Sequence, residues 1–195
     1  MQTIVGFLSR AHGFNVLTNL AKMNEFKFLK IYTHKYNPKS QDLTKGVRDD
    51  YQLFVNECEK LSIPLIPIDS KFTEITDFPE CDYIVEVSWR YIIPSKIVKK
   101  SKIGTFGIHR GKLPNYAGAE PIKQALKNNE KNIILSAHKL EPKIDSGDVI
   151  TTSTYHITDD TSKKNIENQI QEIRDAITPL FFTTALNAIK ILNNK

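Results

Sequence analysis

Three polar stretches carry residue types suited to proton transfer and anion binding: Ser88-Trp89-Arg90-Tyr91-Ile92-Ile93-Pro94, Gly107-Ile108-His109-Arg110-Gly111-Lys112-Leu113-Pro114-Asn115-Tyr116-Ala117-Gly118, and Ile144-Asp145-Ser146-Gly147-Asp148. Each is expected just past the carboxyl end of a strand, where open parallel sheets collect their ligands. His109 is the side chain among them whose charge changes near neutral pH, so it can both donate to a developing negative oxygen and move a proton. A fourth stretch, Ser9-Arg10-Ala11-His12-Gly13, follows the first strand and opens a helix. Unpaired N–H groups and the helix dipole favour an anion there, which makes Ser9, Arg10 and Gly13 candidate phosphate contacts. His138 is expected on a strand beside the cleft, as a candidate substrate contact. No complete G-x-G-x-x-G or G-x-x-x-x-G-K-[ST] occurs, which disfavours dinucleotide binding and nucleotide hydrolysis. His12, His34 and His156 lack partners at metal-ligand spacing, and Cys58 and Cys81 form no C-x-x-C pair, so no metal is expected.

The elements that must position these residues alternate between strand and helix patterns, which predicts an α/β chain with a largely parallel sheet. Strands are expected over 3–8, 26–34, 63–68, 82–87, 103–108, 132–140 and 149–155. Pro64 and Pro67 push the third of these toward a sheet edge. A short helix is expected over 15–23. Another carries Tyr51, Phe54, Cys58 and Leu61 on one face, with Asp49 and Asp50 as cap candidates. The chain closes on a long stripe of Ile166, Ile170, Ile173, Ile177, Phe181, Ala185, Ala188 and Leu192, with a kink at Pro179.

Length and composition bound the rest. At 195 residues and 40% hydrophobic content, one sizeable core and a single domain over 1–195 are expected. No run is apolar enough to span a membrane, and the N-terminus shows neither a basic leader nor a cleavage site, so the expectation is a cytoplasmic protein with reduced, buried thiols. The net charge of +5, from 27 Lys and Arg against 22 Asp and Glu, is spread over short runs without interleaved exposed aromatics. Nucleic acid is therefore a disfavoured partner, and a phosphate-bearing small molecule suits the modest positive field.

The His109 loop resembles the Asn-Ile-His-Pro-Ser-Leu-Leu-Pro loop of the folate-dependent formyltransferases, and like theirs it is followed by a Gly and a helix. Ile144-Asp145-Ser146-Gly147 resembles that family's Leu-Asp-x-Gly loop, and the stretch from Ser88 is similar to the segment lining its folate pocket. Val5-Gly6-Phe7-Leu8-Ser9 matches its first strand and Asp159-Asp160-Thr161 the turn before its last helix, with His109 and Asp145 36 positions apart. The resemblance implies a three-layer, Rossmann-like, mostly parallel fold and transfer of a formyl group from 10-formyltetrahydrofolate to an amine. Attack of an amine on the formyl carbon makes a tetrahedral oxyanion, so an oxyanion donor and a proton acceptor are needed. By the family match, His109 serves both needs and Asp145 orients and balances its ring. The donor pocket is implied at Ser88, Trp89, Arg90, Ile92, Ile144 and Gly147.

Departures bear on the acceptor. Gly107 stands where the family has Asn, Arg110-Gly111 replaces Pro-Ser, and Ala117 replaces an Arg often found before Gly118. With the pattern ending near Leu192, the expected acceptor is a small phosphorylated amine, foremost a nucleotide-linked amino sugar. Glycinamide ribonucleotide is the alternative, and a non-catalytic nucleotide-sugar or folate-binding domain is a further one, favoured by the missing Asn. A homodimer is compatible with each.

Overall fold

The computed structural model describes residues 1–38, 43–44, 46–158, 161 and 164–194. Its chain divides into two units, Met1–Thr105 and Phe106–Lys195. In the first, strands β1 (Gln2–Leu8), β2 (Phe26–Thr33), β3 (Leu65–Pro67) and β4 (Cys81–Val87) run parallel in the order β3-β2-β1-β4. Ile4, Val5, Phe7 and Leu8 of β1 are all fully buried, the continuous apolar run of a parallel strand covered on both faces. The expected strand over 63–68 shortens to three residues, because Pro64 and Pro67 have no N–H to give; the Pro64 carbonyl instead accepts from Ile31 N–H at 2.9 Å. As expected, it takes the outer place in the ladder.

Helix α1 (Arg10–Leu20) begins five residues before the expected start, so the polar stretch after β1 is largely the first helical turn. Gly13 explains the early start. A Cβ there would sit 3.0 Å from the Leu8 carbonyl carbon, so the helix packs against the end of β1 at a distance that favours glycine. Helix α2 (Tyr51–Lys60) buries Phe54 and Cys58. Asp50 takes the cap position but makes no cap bond; its carboxylate meets Arg48 Nε at 2.8 Å. A short helix α3 (Ser95–Val98) leads to β5 (Ser101–His109), whose last four residues belong to the second unit. Burial pushes the Cys58 and Cys81 thiols up to about 12 and about 11, so both free cysteines are packing residues.

In the second unit the end of β5 pairs antiparallel with β6 (Asn132–Lys139), which pairs antiparallel with β7 (Val149–His156). The α/β, Rossmann-like class thus has parallel ladders in its first unit and antiparallel ones in its second. Helix α4 (Pro121–Lys127) lies between β5 and β6 in sequence, and the C-terminal stripe divides into α5 (Ile166–Ala176) and α6 (Thr178–Asn193). Where a single kinked helix was expected, Ile177 caps both pieces, and Pro179 sits in the first turn of α6, where a missing N–H costs nothing. Ile173, Ile177, Phe181, Ala185 and Ala188 are buried, and α6 packs on β6 and β7. Asp159 and Asp160 lie outside the described residues. No described helix is long and apolar enough to cross a membrane.

Candidate active site

Strand pairing explains the polar cluster of the second unit. In the β5–β6 register Gly107 faces His138 and His109 faces Ser136. Side chains two apart on a strand share a face with those directly opposite, so positions 107, 109, 136 and 138 project together. His109 ends β5 with its side chain 11% exposed. Its Nδ1 lies 3.3 Å from Asp145 Oδ2 and its Nε2 lies 2.6 Å from the Tyr116 carbonyl oxygen. Both neighbours are acceptors only, and the imidazolium, with an N–H at each nitrogen, satisfies both.

Asp145 is brought to His109 by a left-handed backbone turn with φ +51, a conformation that non-glycine residues adopt infrequently. Its Oδ2 accepts the Gly118 N–H at 2.8 Å and its Oδ1 lies 3.5 Å from His138 Nε2. That last contact is electrostatic, since Nε2 of the buried His138 has no hydrogen-bond partner. His138 Nδ1 lies 2.9 Å from the Lys139 carbonyl, which fixes the proton there. Burial holds the His138 pKa below its ordinary value; the Lys139 carbonyl and the Asp145 charge oppose the shift and His109 adds to it. His138, expected as a substrate contact, thus stands against the carboxylate. Gly147 is set by packing, because an added Cβ would collide with the Lys139 carbonyl oxygen. Ile144 is 64% exposed.

Gly111, one of the departures, lies under the histidine. A Cβ there would sit 3.0 Å from His109 Nε2 and 2.7 Å from the Tyr116 oxygen, so a side chain would displace the contact that holds the ring. A cavity of about 150 Å³ backs this loop, lined by Gly111, Tyr116, Glu130, Asn132 and Ile133, and includes neither His109 nor Asp145.

The first unit carries the other predicted residues. Ser88 follows β4 at φ +57, with its hydroxyl 3.5 Å from His12 Nδ1. The half-buried Trp89 stacks on His34 with centroids 4.1 Å apart and presents an edge to Phe7. Its backbone N–H donates to the Glu86 carboxylate at 2.7 Å. Arg90 donates its backbone N–H to His34 Nε2 at 3.2 Å and its guanidinium to the Tyr36 carbonyl at 2.5 Å. Ile92 is 58% exposed. At the start of α1, buried Ser9 accepts a hydrogen bond from Arg48 Nη1. Arg10 has φ +63, and Gly13 has the packing role described above.

Sequence reasoning missed His34 and Arg48. His34 is fully buried; its Nδ1–H donates to the Ile68 carbonyl at 2.5 Å while Nε2 accepts from Arg90. Burial and then the Arg90 charge push its pKa down to about 3. No local pattern signals either residue, since His34 is held by Ile68 and Arg90 and the buried Arg48 reaches back to Ser9, tens of positions away.

Known proteins are similar to this chain. Residues 17–181 match the family model described as Formyl transferase. Methionyl-tRNA formyltransferase of Orientia tsutsugamushi (strain Boryong) is 31% identical over 118 residues, 58% of this chain and 38% of its own length. The chain spans about half or less of the length of the curated relatives it matches, 38%, 39% and 48% for three of them. Phosphoribosylglycinamide formyltransferase from Streptococcus pneumoniae TIGR4 superposes with a TM-score of 0.64 at 18% identity, over 94% of this chain and 97% of that one. A sugar 3N-formyl transferase solved with dTDP and 5-N-formyl-THF gives 0.62 at 18%, over 100% and 64%. At these identities the structural likeness concerns the fold, and it is the family model, running from within α1 to within α6, that places this chain in the formyl transferase family.

Proposed function

We propose that residues 1–195 work as one catalytic domain that transfers a formyl group from 10-formyltetrahydrofolate to the amino group of a small phosphorylated acceptor, foremost a nucleotide-linked amino sugar. The observation that carries the reading is the His109–Asp145 pair, with an acceptor on each ring nitrogen. An oxyanion formed at Nε2 takes the place of the Tyr116 carbonyl, so one acceptor is exchanged for another and no hydrogen bond is lost. The incoming acceptor is charged and the outgoing one neutral, so the bond strengthens as the transition state forms. Asp145 keeps the ring oriented and balances its charge; as the tetrahedral intermediate collapses, the imidazolium gives its Nε2 proton to the leaving tetrahydrofolate nitrogen and the neutral ring recovers one from the amine that attacked.

The donor supplies the activated formyl carbon. Residues of the first unit suit its flat heteroaromatic ring: Ile92 offers an exposed apolar side chain beside irregular backbone at 88–94. Trp89 has one of its faces already stacked on His34, which leaves that face closed to the donor ring.

The test is formyl transfer from 10-formyltetrahydrofolate to a panel of nucleotide amino sugars and glycinamide ribonucleotide. Turnover with a nucleotide amino sugar supports the reading; turnover with glycinamide ribonucleotide alone moves it to the purine acceptor. Gly107 favours a second reading, a binding domain without turnover, since it has no side-chain amide and the buried His138 Nε2 across the ladder is unprotonated. Gly107→Asn separates the two. In an enzyme working with a substitute donor it changes the rate, whereas in a binding domain both forms stay inactive with every amine while a nucleotide sugar still raises the melting temperature.

A further inference from the structure

The carbonyl that holds His109 Nε2 belongs to a residue whose side chain is itself clamped. Tyr116 is buried, and its hydroxyl donates to Glu130 Oε1 at 2.6 Å while accepting from Asn128 Nδ2 at 3.2 Å. Both partners come from the end of α4. Asn128 is its cap residue, Asn129 takes a left-handed φ of +55, and the Glu130 N–H closes back on the Ala125 carbonyl at 3.0 Å. The clamp thus stands on a helix terminus whose own backbone is bonded. The start of the same loop is pinned to β6, where Ser136 Oγ donates to the Gly111 carbonyl at 2.8 Å and accepts the Leu113 N–H at 3.2 Å. Gly111 and Tyr116 both line the cavity of about 150 Å³ behind the loop. A void offers no dispersion contact to the groups around it, so on that side hydrogen bonds rather than packing fix where the Tyr116 backbone sits. Glu130 as acceptor holds the Tyr116 pKa above its ordinary value, so the hydroxyl stays a donor through the neutral range.

We propose that Tyr116 and Glu130 are positioning residues for His109: their side-chain bond sets the Tyr116 carbonyl, and that carbonyl sets the direction of the Nε2–H. The proposal rests on the reading of His109 as the reacting group and gives a role to two residues to which no motif assigned one. The carbonyl is the acceptor that the oxyanion replaces, so its place in the resting site is the place prepared for the reacting oxygen. A ring aimed by a loosened carbonyl meets that oxygen at a poor angle, which lowers the rate without lowering affinity.

Long-range proton–nitrogen NMR spectra of the full chain read both ring nitrogens of each histidine, with His109→Gln identifying the signals of His109. Tyr116→Phe removes the hydroxyl and Glu130→Ala removes its acceptor. Each is expected to shift the His109 Nε2 signal more than the Nδ1 signal and to leave His34 and His156 in place. Glu130→Gln keeps an acceptor and is expected to fall between; it carries the test if the other variants do not fold. In formyl transfer, kcat is expected to fall on the order of 10-fold in Tyr116→Phe and in Glu130→Ala with both KM values unchanged, held to that size because Glu130 is exposed and water competes for the bond. The double variant is expected to lose no more than the worse single. Unmoved His109 signals in the folded variants overturn the proposal, as do additive losses or a loss carried by KM alone. A shifted Nε2 signal in a chain that transfers no formyl group sustains the positioning role and defeats the proposed reaction instead.

Discussion

His34 and His109 stand at corresponding places, each at the end of a strand, yet their surroundings give them opposite characters. His34, just past β2, has one acceptor and one donor, Ile68 O and Arg90 N–H, which only the neutral ring satisfies. His109, the last residue of β5, has two acceptors, Tyr116 O and Asp145 Oδ2, which the cation satisfies. Strand-end position and residue type are the same. What separates the two histidines is the chemistry of their neighbours, and the proposed reaction draws only on the one flanked by two acceptors.

The sharpest way to break the comparison is to remove each ring. His109→Ala and Asp145→Ala are each expected to lower single-turnover formyl transfer on the order of 10²–10⁴-fold, with the double variant losing little more than the worse single, because the two act as one unit. Additive losses from folded variants would separate them. His34→Phe should leave the chemical step close to wild type and act on stability.

The pH dependence of stability gives the next largest effect. The folded pKa of His34 is about 3, against 6.5 ordinarily, so the unfolded chain binds more protons between those values. Stability is therefore intact above pH ~6.5 and falls as pH drops through that window, with a slope of up to about 1.4 kcal/mol per pH unit. His138, lowered by burial, adds in the same direction. Urea midpoints measured stepwise down to about pH 4 check this, and His34→Phe should flatten the slope by up to one proton.

A smaller effect is expected at Gly147. Its substitution by Ala drives a Cβ into the Lys139 carbonyl, so the turn that carries Asp145 must shift. We expect a loss of about 1–3 kcal/mol in denaturant unfolding together with reduced turnover. A turnover loss without a stability loss would mean that the turn moves freely. The smallest signal is optical. Trp89 is the only tryptophan and stacks on His34, so its fluorescence should shift modestly with a non-reactive folate analogue. No change, with binding shown independently, would limit the residue to packing.

That His109 and Asp145 come together was legible in the sequence because each is flanked by residues that carry the family pattern. The strands were legible for a different reason, their β-branched and aromatic runs. Other features depended on contacts that no local pattern encodes. Arg48 sits in a polar stretch where an inward-turning cation looks like any solvated one, and its partner Ser9 is 39 positions away. The start of α1 was misplaced because Ser9 to Gly13 has loop chemistry, while the tight seat of Gly13 on Leu8 belongs to tertiary packing. His138 was visible as a strand residue, but its place against Asp145 follows from the antiparallel register with Gly107.

The hydrogen bond from Gly118 N–H to Asp145 turns one backbone amide into an isotope clock for the carboxylate. Gly118 is exposed, with φ +85, and an amide so placed would otherwise trade its proton for deuterium at nearly the intrinsic rate. While Asp145 accepts from it, exchange is slowed. Any ligand that draws the carboxylate away, and the Asp145→Ala variant most of all, should set this single amide running faster while the buried amides of β6 keep their pace.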